Sequence, residues 1–205
     1  MLKFISVILL LFNMILPGRN PDGKKVYLIP IGDGVDPELV RELRLNLEEE
    51  FHQPFVIGSV IGLPSGAYVP TRRQYYSPAI LSLLKRKFPK DASRVLGIVN
   101  HDLWVPGLNF IFGEADLEAK VAVISLVRLR QEFYHLPPDP ELFFLRVLKE
   151  AVHELGHTYG LPHCSDPNCV MHFSNSLADT DRKSAHFCPR CRRLLEEAIE
   201  REKER

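Results

Sequence analysis

Apolar residues recur along this chain with two periods, and each period predicts a kind of element. Residues 25 to 31 are an apolar, β-branched run that predicts a first strand. Asp36-Pro37 then supplies an N-cap and a proline at the first helical position. Leu39, Leu43 and Leu47 repeat at the spacing of one helical face, so a helix is expected up to about Glu50. Phe55 to Ile61 reads as a strand. Ser77-Pro78 repeats the helix-start signature ahead of Ile80, Leu81 and Leu84, and Val95 to Val99 reads as a short buried strand. Leu108 to Phe112 and Val121 to Leu129 complete the expected strands. Asp139-Pro140 opens a long helix to Tyr159 that carries Phe144, Leu148, Ala151 and Leu155 on its core side and His153 and His157 on another. After a loop-rich segment, Leu194, Leu195, Ala198 and Ile199 predict a final amphipathic helix whose end, REKER, is solvated. The alternation of strands and helices implies an α/β layout that leads up to the long helix.

Composition narrows this picture. The 26 basic and 26 acidic residues give no net formal charge, so nothing advertises a nucleic acid or an anionic membrane as a partner. With 45% of residues apolar, the chain can bury one globular core, and it contains no repeat or low-complexity tract.

The chemistry concentrates at residues 153 to 163, HELGHTYGLPH. Four apart on a helix, His153 and His157 project from one face and can share a metal, with Glu154 about 100° round the same helix as a general base. Gly160 can take the left-handed conformation that ends the helix and reverses the chain, which would bring His163 back as a third ligand. Three protein ligands leave a fourth position open, the mark of a catalytic zinc rather than a structural one.

All four cysteines, Cys164, Cys169, Cys188 and Cys191, lie within 28 residues. Their C-x4-C and C-x2-C spacing matches a closed four-thiolate zinc site, which would be structural. Two disulfides are the alternative, and export to an oxidising compartment would favour them. A redox reading of Cys188-Pro-Arg-Cys191 lacks the βαβ context it needs. Since His163 and Cys164 are adjacent, and successive side chains of an extended segment point to opposite sides, each can serve its own metal.

The motif HExxHxxGxxH followed at once by Cys, then C-x4-C-x-M and a distal C-x-x-C, resembles the archaemetzincins, a metzincin-type family of zinc metalloproteases. VYLIPIG at 26 to 32, RQYYSPAIL at 73 to 81, VPGLNFIFG at 105 to 113 and SLVRL at 125 to 129 resemble blocks of that family, so the likeness runs over about residues 25 to 205. It implies an α/β (α+β) metzincin-like fold: a mixed twisted sheet with helices, a long active-site helix and a small zinc-stabilised C-terminal subdomain. Residues 23–205 would form one metalloprotease domain, divided near residue 160. It also implies two Zn2+, one catalytic and one structural, a methionine turn at Met171, and a cleft whose upper edge strand pairs an extended peptide, for which Leu108 to Gly113 is the candidate segment. The substrate is then a peptide or protein, hydrolysed with Glu154 as general base, and a monomer is expected. Two other readings compete: a catalytically weak zinc-binding interaction module, and a zinc ribbon for nucleic acid, which the balanced charge disfavours.

Residues 1–22 have no counterpart in the family. Within them Lys3 and the apolar run 4 to 16 resemble a signal peptide but lack a small-x-small cleavage site, and thirteen residues are too few for a span of about 20. A start assigned too far upstream is the third reading. Thiolate zinc is best kept where thiols stay reduced, so a cytoplasmic protein is expected, with membrane contact only through residues 4–16. The other histidines, His52, His101, His135, His172 and His186, are expected to be surface or packing residues, and Tyr159 to pack rather than act.

Overall fold

A computed structural model of the chain describes residues 23–204; the apolar run at 4 to 16 lies outside them. Strand β1 (Lys25–Ile31) leads into α1 (Pro37–Phe51), where the Asp36 carboxylate accepts from the Glu38 N–H at 2.9 Å and Leu39, Leu43 and Leu47 are buried. The short strands β2 (Phe55–Ile57), β3 (Tyr68–Val69) and β4 (Gln74–Tyr76) precede α2 (Ser77–Arg86). Then come β5 (Ala92–Val99), β6 (Leu103–Trp104), β7 (Gly113–Asp116) and β8 (Val121–Ser125). After two 3-10 turns, α3 (Pro140–Thr158) carries the HExxH residues, and α4 (Leu177–Arg182) and α5 (Pro189–Lys203) close the chain.

Five strands form the main sheet in the order β2-β1-β5-β8-β7. The first four run parallel, while β7 runs antiparallel to β8 and forms an edge. A second, small sheet has the order β3-β4-β6. Both faces of the main sheet are covered, which is why its strands read as continuous apolar runs rather than alternating ones. Leu96, Ile98 and Ile124 face a core built with α1, α3 and the cysteine segment, and Val95, Val99 and Val123 face one built with α2.

Four expectations change. The strand expected at Phe55 to Ile61 stops at Ile57, and Ile61 returns only as an isolated bridge to Ile31. Leu108 to Phe112 is not a strand: the carbonyls of Leu108 and Asn109 accept from the Arg72 guanidinium at 3.3 and 3.0 Å, and that of Asn109 also from Gln74 Nε2 at 2.9 Å. Side chains thus take the groups a ladder would use, and the edge strand begins at Gly113. The expected strand from Val121 ends at Ser125, with a 3-10 turn over 127–129. Ser77 does not cap α2 by its side chain but sits buried as its first residue.

One buried charge ties the end of the chain to the middle of the sheet. Arg94 on β5 is 1% exposed and donates through Nη1 and Nη2 to the Glu202 carboxylate, both at 2.8 Å. Its guanidinium also lies over the Tyr159 ring, 3.3 Å from the centroid. Lys120 Nζ donates to the same carboxylate at 2.7 Å. Partial burial raises the Glu202 carboxyl, but the hydrogen bonds from Arg94 and Lys120 and their charges outweigh it and bring it down to about 2. Glu202→Gln leaves the buried guanidinium short of its counterion, so it should destabilise by about 2 kcal/mol, less than the ~3–5 kcal/mol of fully enclosed pairs because Glu202 is partly exposed. A depressed folded pKa stabilises above the ordinary carboxyl value and loses that contribution as pH falls through the folded one. Urea midpoints should therefore differ fully near neutrality and converge between about pH 4 and pH 2; a gap independent of pH would contradict the ion pair as its source.

Candidate active site

Helix α3 is fixed before it reaches the histidines. The Asp139 carboxylate caps it at the Leu142 N–H (3.0 Å), Arg146 makes two 2.7 Å bonds to the Asp181 carboxylate, and Lys149 donates to the carbonyls of Thr180 and Asp181. On this rigid element His153 and His157 have their Nδ1 atoms 2.8 Å from the carbonyls of Val170 and Leu161. A carbonyl can only accept, so each ring carries its proton on Nδ1 and turns the Nε2 lone pair away. The two Nε2 atoms converge to 3.1 Å, and His163 completes a group whose ligand atoms lie within 4.8 Å of one another. Burial pushes all three imidazoles below their ordinary pKa, His153 most strongly, with the Lys183 charge adding to it there. Three neutral rings with convergent lone pairs suit a metal ion.

The reversal that delivers His163 is built from backbone. Gly160 has φ +85°, its N–H donates to the His157 carbonyl at 2.9 Å, and the Leu161 N–H donates to that of Gly156 at 3.1 Å, the double bond of a Schellman end. The same turn presents the Leu161 carbonyl that orients His157.

Glu154 is buried beside these rings. Burial raises its carboxyl well above the ordinary range, the neighbouring Glu150 charge adds to this, and Lys183 opposes it. The start of the edge strand lies directly against it. A Cβ added at Gly113 would sit 2.7 Å from Glu154 Oε1, so only glycine leaves that carboxylate its place. A cleft of about 500 Å³ opens here, lined by Gly113, Glu154 and the three histidines and bounded by the segments 107–112 and 173–175.

Cys164, Cys169, Cys188 and Cys191 form the second group, also with ligand atoms within 4.8 Å. All four are free thiols, and the Sγ atoms of Cys164 and Cys188 are 3.8 Å apart. A tetrahedral zinc with bonds of about 2.3 Å places its sulfurs about 3.8 Å apart, whereas a disulfide needs about 2 Å. The spacing therefore fits a thiolate metal site. The Cys164 N–H donates to the Met171 carbonyl at 2.9 Å, which knits this group to the turn under the histidines. Met171 is fully buried against Gly156, where a Cβ would meet its sulfur at 2.5 Å.

The three histidines and four cysteines singled out as ligands in the sequence fall in these two groups, Glu154 lies beside the first, and Met171 bonds to the second through the Cys164 N–H. His172 is not part of a ligand group among the described residues; its Nδ1 lies 2.9 Å from the Cys164 carbonyl. Tyr159 packs, stacked on Phe51 at 5.6 Å, with its hydroxyl 3.0 Å from Gln53 Oε1 and burial pushing its pKa up to about 12. Sequence reasoning missed Gly113 as a neighbour of Glu154, and it missed Lys183, fully buried with Nζ 3.3 Å from the His172 carbonyl and 3.6 Å from Glu150. A lone lysine in a polar stretch gave no signal. The glycine ending an apolar run was the available hint.

The profile described as Peptidase family M54 matches residues 54–197. An archaemetzincin from Pyrococcus furiosus is 47% identical over 186 residues, covering 86% of this chain and 94% of its own. Among solved structures, the archaemetzincin of Methanopyrus kandleri superposes with a TM-score of 0.76 at 41% identity, covering 87% of this chain and 97% of its own. A zinc-dependent peptidase from Methanocorpusculum labreanum gives the same TM-score, 0.76, at 29% identity, covering 83% and 99%. The likeness thus spans the sheet, the active-site helix and the cysteine segment together, and the chain belongs to peptidase family M54, the archaemetzincins, as a zinc metallopeptidase.

Proposed function

We propose that His153, His157 and His163 hold a catalytic zinc, that Cys164, Cys169, Cys188 and Cys191 hold a second, structural zinc, and that Glu154 is the general base of peptide-bond hydrolysis. The observation that carries the reading is the pair of backbone carbonyls at Val170 and Leu161, which fix the Nδ1 protons of His153 and His157 and leave both Nε2 lone pairs aimed at one point. Bound there, zinc supplies an activated nucleophile at neutral pH and polarises the scissile carbonyl. Glu154 takes the proton released by the attacking water and returns it to the leaving amine. Gly113 holds open the space in which that carboxylate works, and the edge strand it begins offers backbone to an extended peptide. Met171 closes the site from below as the methionine turn.

Residues 23–205 act as one catalytic domain, with the segment from 161 onward as a zinc-stabilised subdomain, and the protein works as a monomer. No helix among the described residues is long and apolar enough to cross a membrane. Four reduced thiols suit a cytoplasmic setting. The interaction-module reading is not favoured, since a site that only bound metal needs no carboxylate enclosed beside it.

Glu154→Ala should keep both zinc ions and the fold while hydrolysis of an unstructured peptide library falls by roughly 10²-fold to 10⁴-fold or more. Equal cleavage by both proteins would remove Glu154 from the chemistry. Metal analysis should return two zinc per chain. Cys188→Ser should lose one zinc together with the thermal stability of the C-terminal segment, because thiolate zinc is itself folding free energy, whereas His157→Ala should lose the other and melt near wild type. Equal melting of the two variants would contradict the division of roles. Gly113→Ala should bind zinc normally yet lose most of its hydrolysis; full activity would show that Glu154 does not need the space.

A further inference from the structure

Each of the two segments that bound the cleft exposes one large apolar side chain. Leu108 and Phe173 line it and are each 54% exposed. A single exposed apolar side chain needs no explanation, but two at the mouth of one cleft do.

Neither exposure comes from a loose chain. The backbone of residue 108 is held by its own N–H to the Val105 carbonyl at 3.2 Å and by Arg72 on its carbonyl, and the next residue by Arg72 and Gln74. Phe173 follows two anchored residues, buried Met171 and His172, whose carbonyl accepts from Lys183. The Phe173 ring also lies 4.9 Å from that of His163, so this apolar surface reaches to the reacting centre. The backbone therefore fixes both side chains where water meets them.

The charges of the cleft point the same way. Glu150, Glu154 and Lys183 are its charged lining residues, and all three are buried. The lining residues that reach solvent, apart from the histidines, are apolar or neutral, with Asn109 and Asn175 among them. Among the described residues, no accessible cation or anion in the lining would select an acidic or basic residue of a peptide.

We infer that this site selects peptides with a bulky apolar residue next to the bond it cleaves, and that Leu108 and Phe173 are the residues that recognise it. This rests on the metallopeptidase reading of the same cleft. A bulky aliphatic or aromatic side chain of the peptide covers both exposed surfaces and releases their water, whereas a charged one would be desolvated without a partner.

The test uses binding and cleavage separately. Fluorescein-labelled ten-residue peptide pools, identical except for one position fixed as Leu or Phe, as Asp or Glu, or as Lys or Arg, are titrated against zinc-loaded Glu154→Ala protein, which binds without turnover. The apolar pools should bind roughly 10-fold tighter or more, and Leu108→Ser with Phe173→Ser should erase most of that advantage. With wild-type protein, the bonds cleaved in an unbiased library should be flanked by Leu, Phe, Met or similar residues. Charged pools that bind as tightly, or a preference untouched by the two serine replacements, would overturn the inference while leaving hydrolysis intact. Failure of wild type to cleave any library member would instead overturn the metallopeptidase reading, and with it this one.

Discussion

The helix end at Gly160 is the constraint on which both ligand groups depend. At φ +85° this residue lets α3 stop in a Schellman turn two residues after Thr158, and three consequences follow from the same few atoms. The turn presents the Leu161 carbonyl to His157 Nδ1, it returns the chain so that His163 joins His153 and His157, and it leaves Cys164 beside the other three thiols. A residue with a Cβ would strain at that φ. The histidine and the thiolate groups are therefore two outcomes of one backbone reversal.

What surrounds the turn holds it in register. The Cys164 N–H bonds to the Met171 carbonyl, Met171 lies in the space left by Gly156, and the Val170 carbonyl orients His153. Farther out, Glu50 on α1 accepts from the Phe187 N–H and pairs with His186 and Arg192, which pins the second cysteine pair to α1. Lys183, with no exposed side-chain surface, connects the segment after Met171 to Glu150 on α3. The proposed ligands are thus placed by ordinary packing and backbone hydrogen bonds, so metal ions bound there would add to a scaffold already aimed at them.

Much of this was legible in the sequence because it is carried by local signals. The Asp36-Pro37 and Asp139-Pro140 starts appear as α1 and α3 with the expected side-chain caps, and Gly160 ends α3 as its position implied. The histidines and the cysteines that spacing grouped are each gathered within 4.8 Å in the fold. What was not legible depends on contacts far apart in the chain. Leu108 to Phe112 has the composition of a strand, yet Arg72 and Gln74, more than thirty residues away, occupy its carbonyls. Strands of two residues such as Tyr68–Val69 and Leu103–Trp104 are too short to show a period. The closeness of Gly113 to Glu154 and the burial of Lys183 are likewise properties of the assembled fold.

The central claim is that both ligand groups follow from the left-handed turn at Gly160. Zinc-edge X-ray absorption on Gly160→Val tests it most directly, because nitrogen and sulfur ligands give distinct shells, at about 2.0–2.1 Å and about 2.3 Å. A β-branched residue cannot take φ +85° without strain, so the variant should lose the nitrogen-coordinated zinc and bind the four-sulfur one at reduced occupancy, because the turn also places Cys164. A spectrum with both shells unchanged at full occupancy would contradict the account.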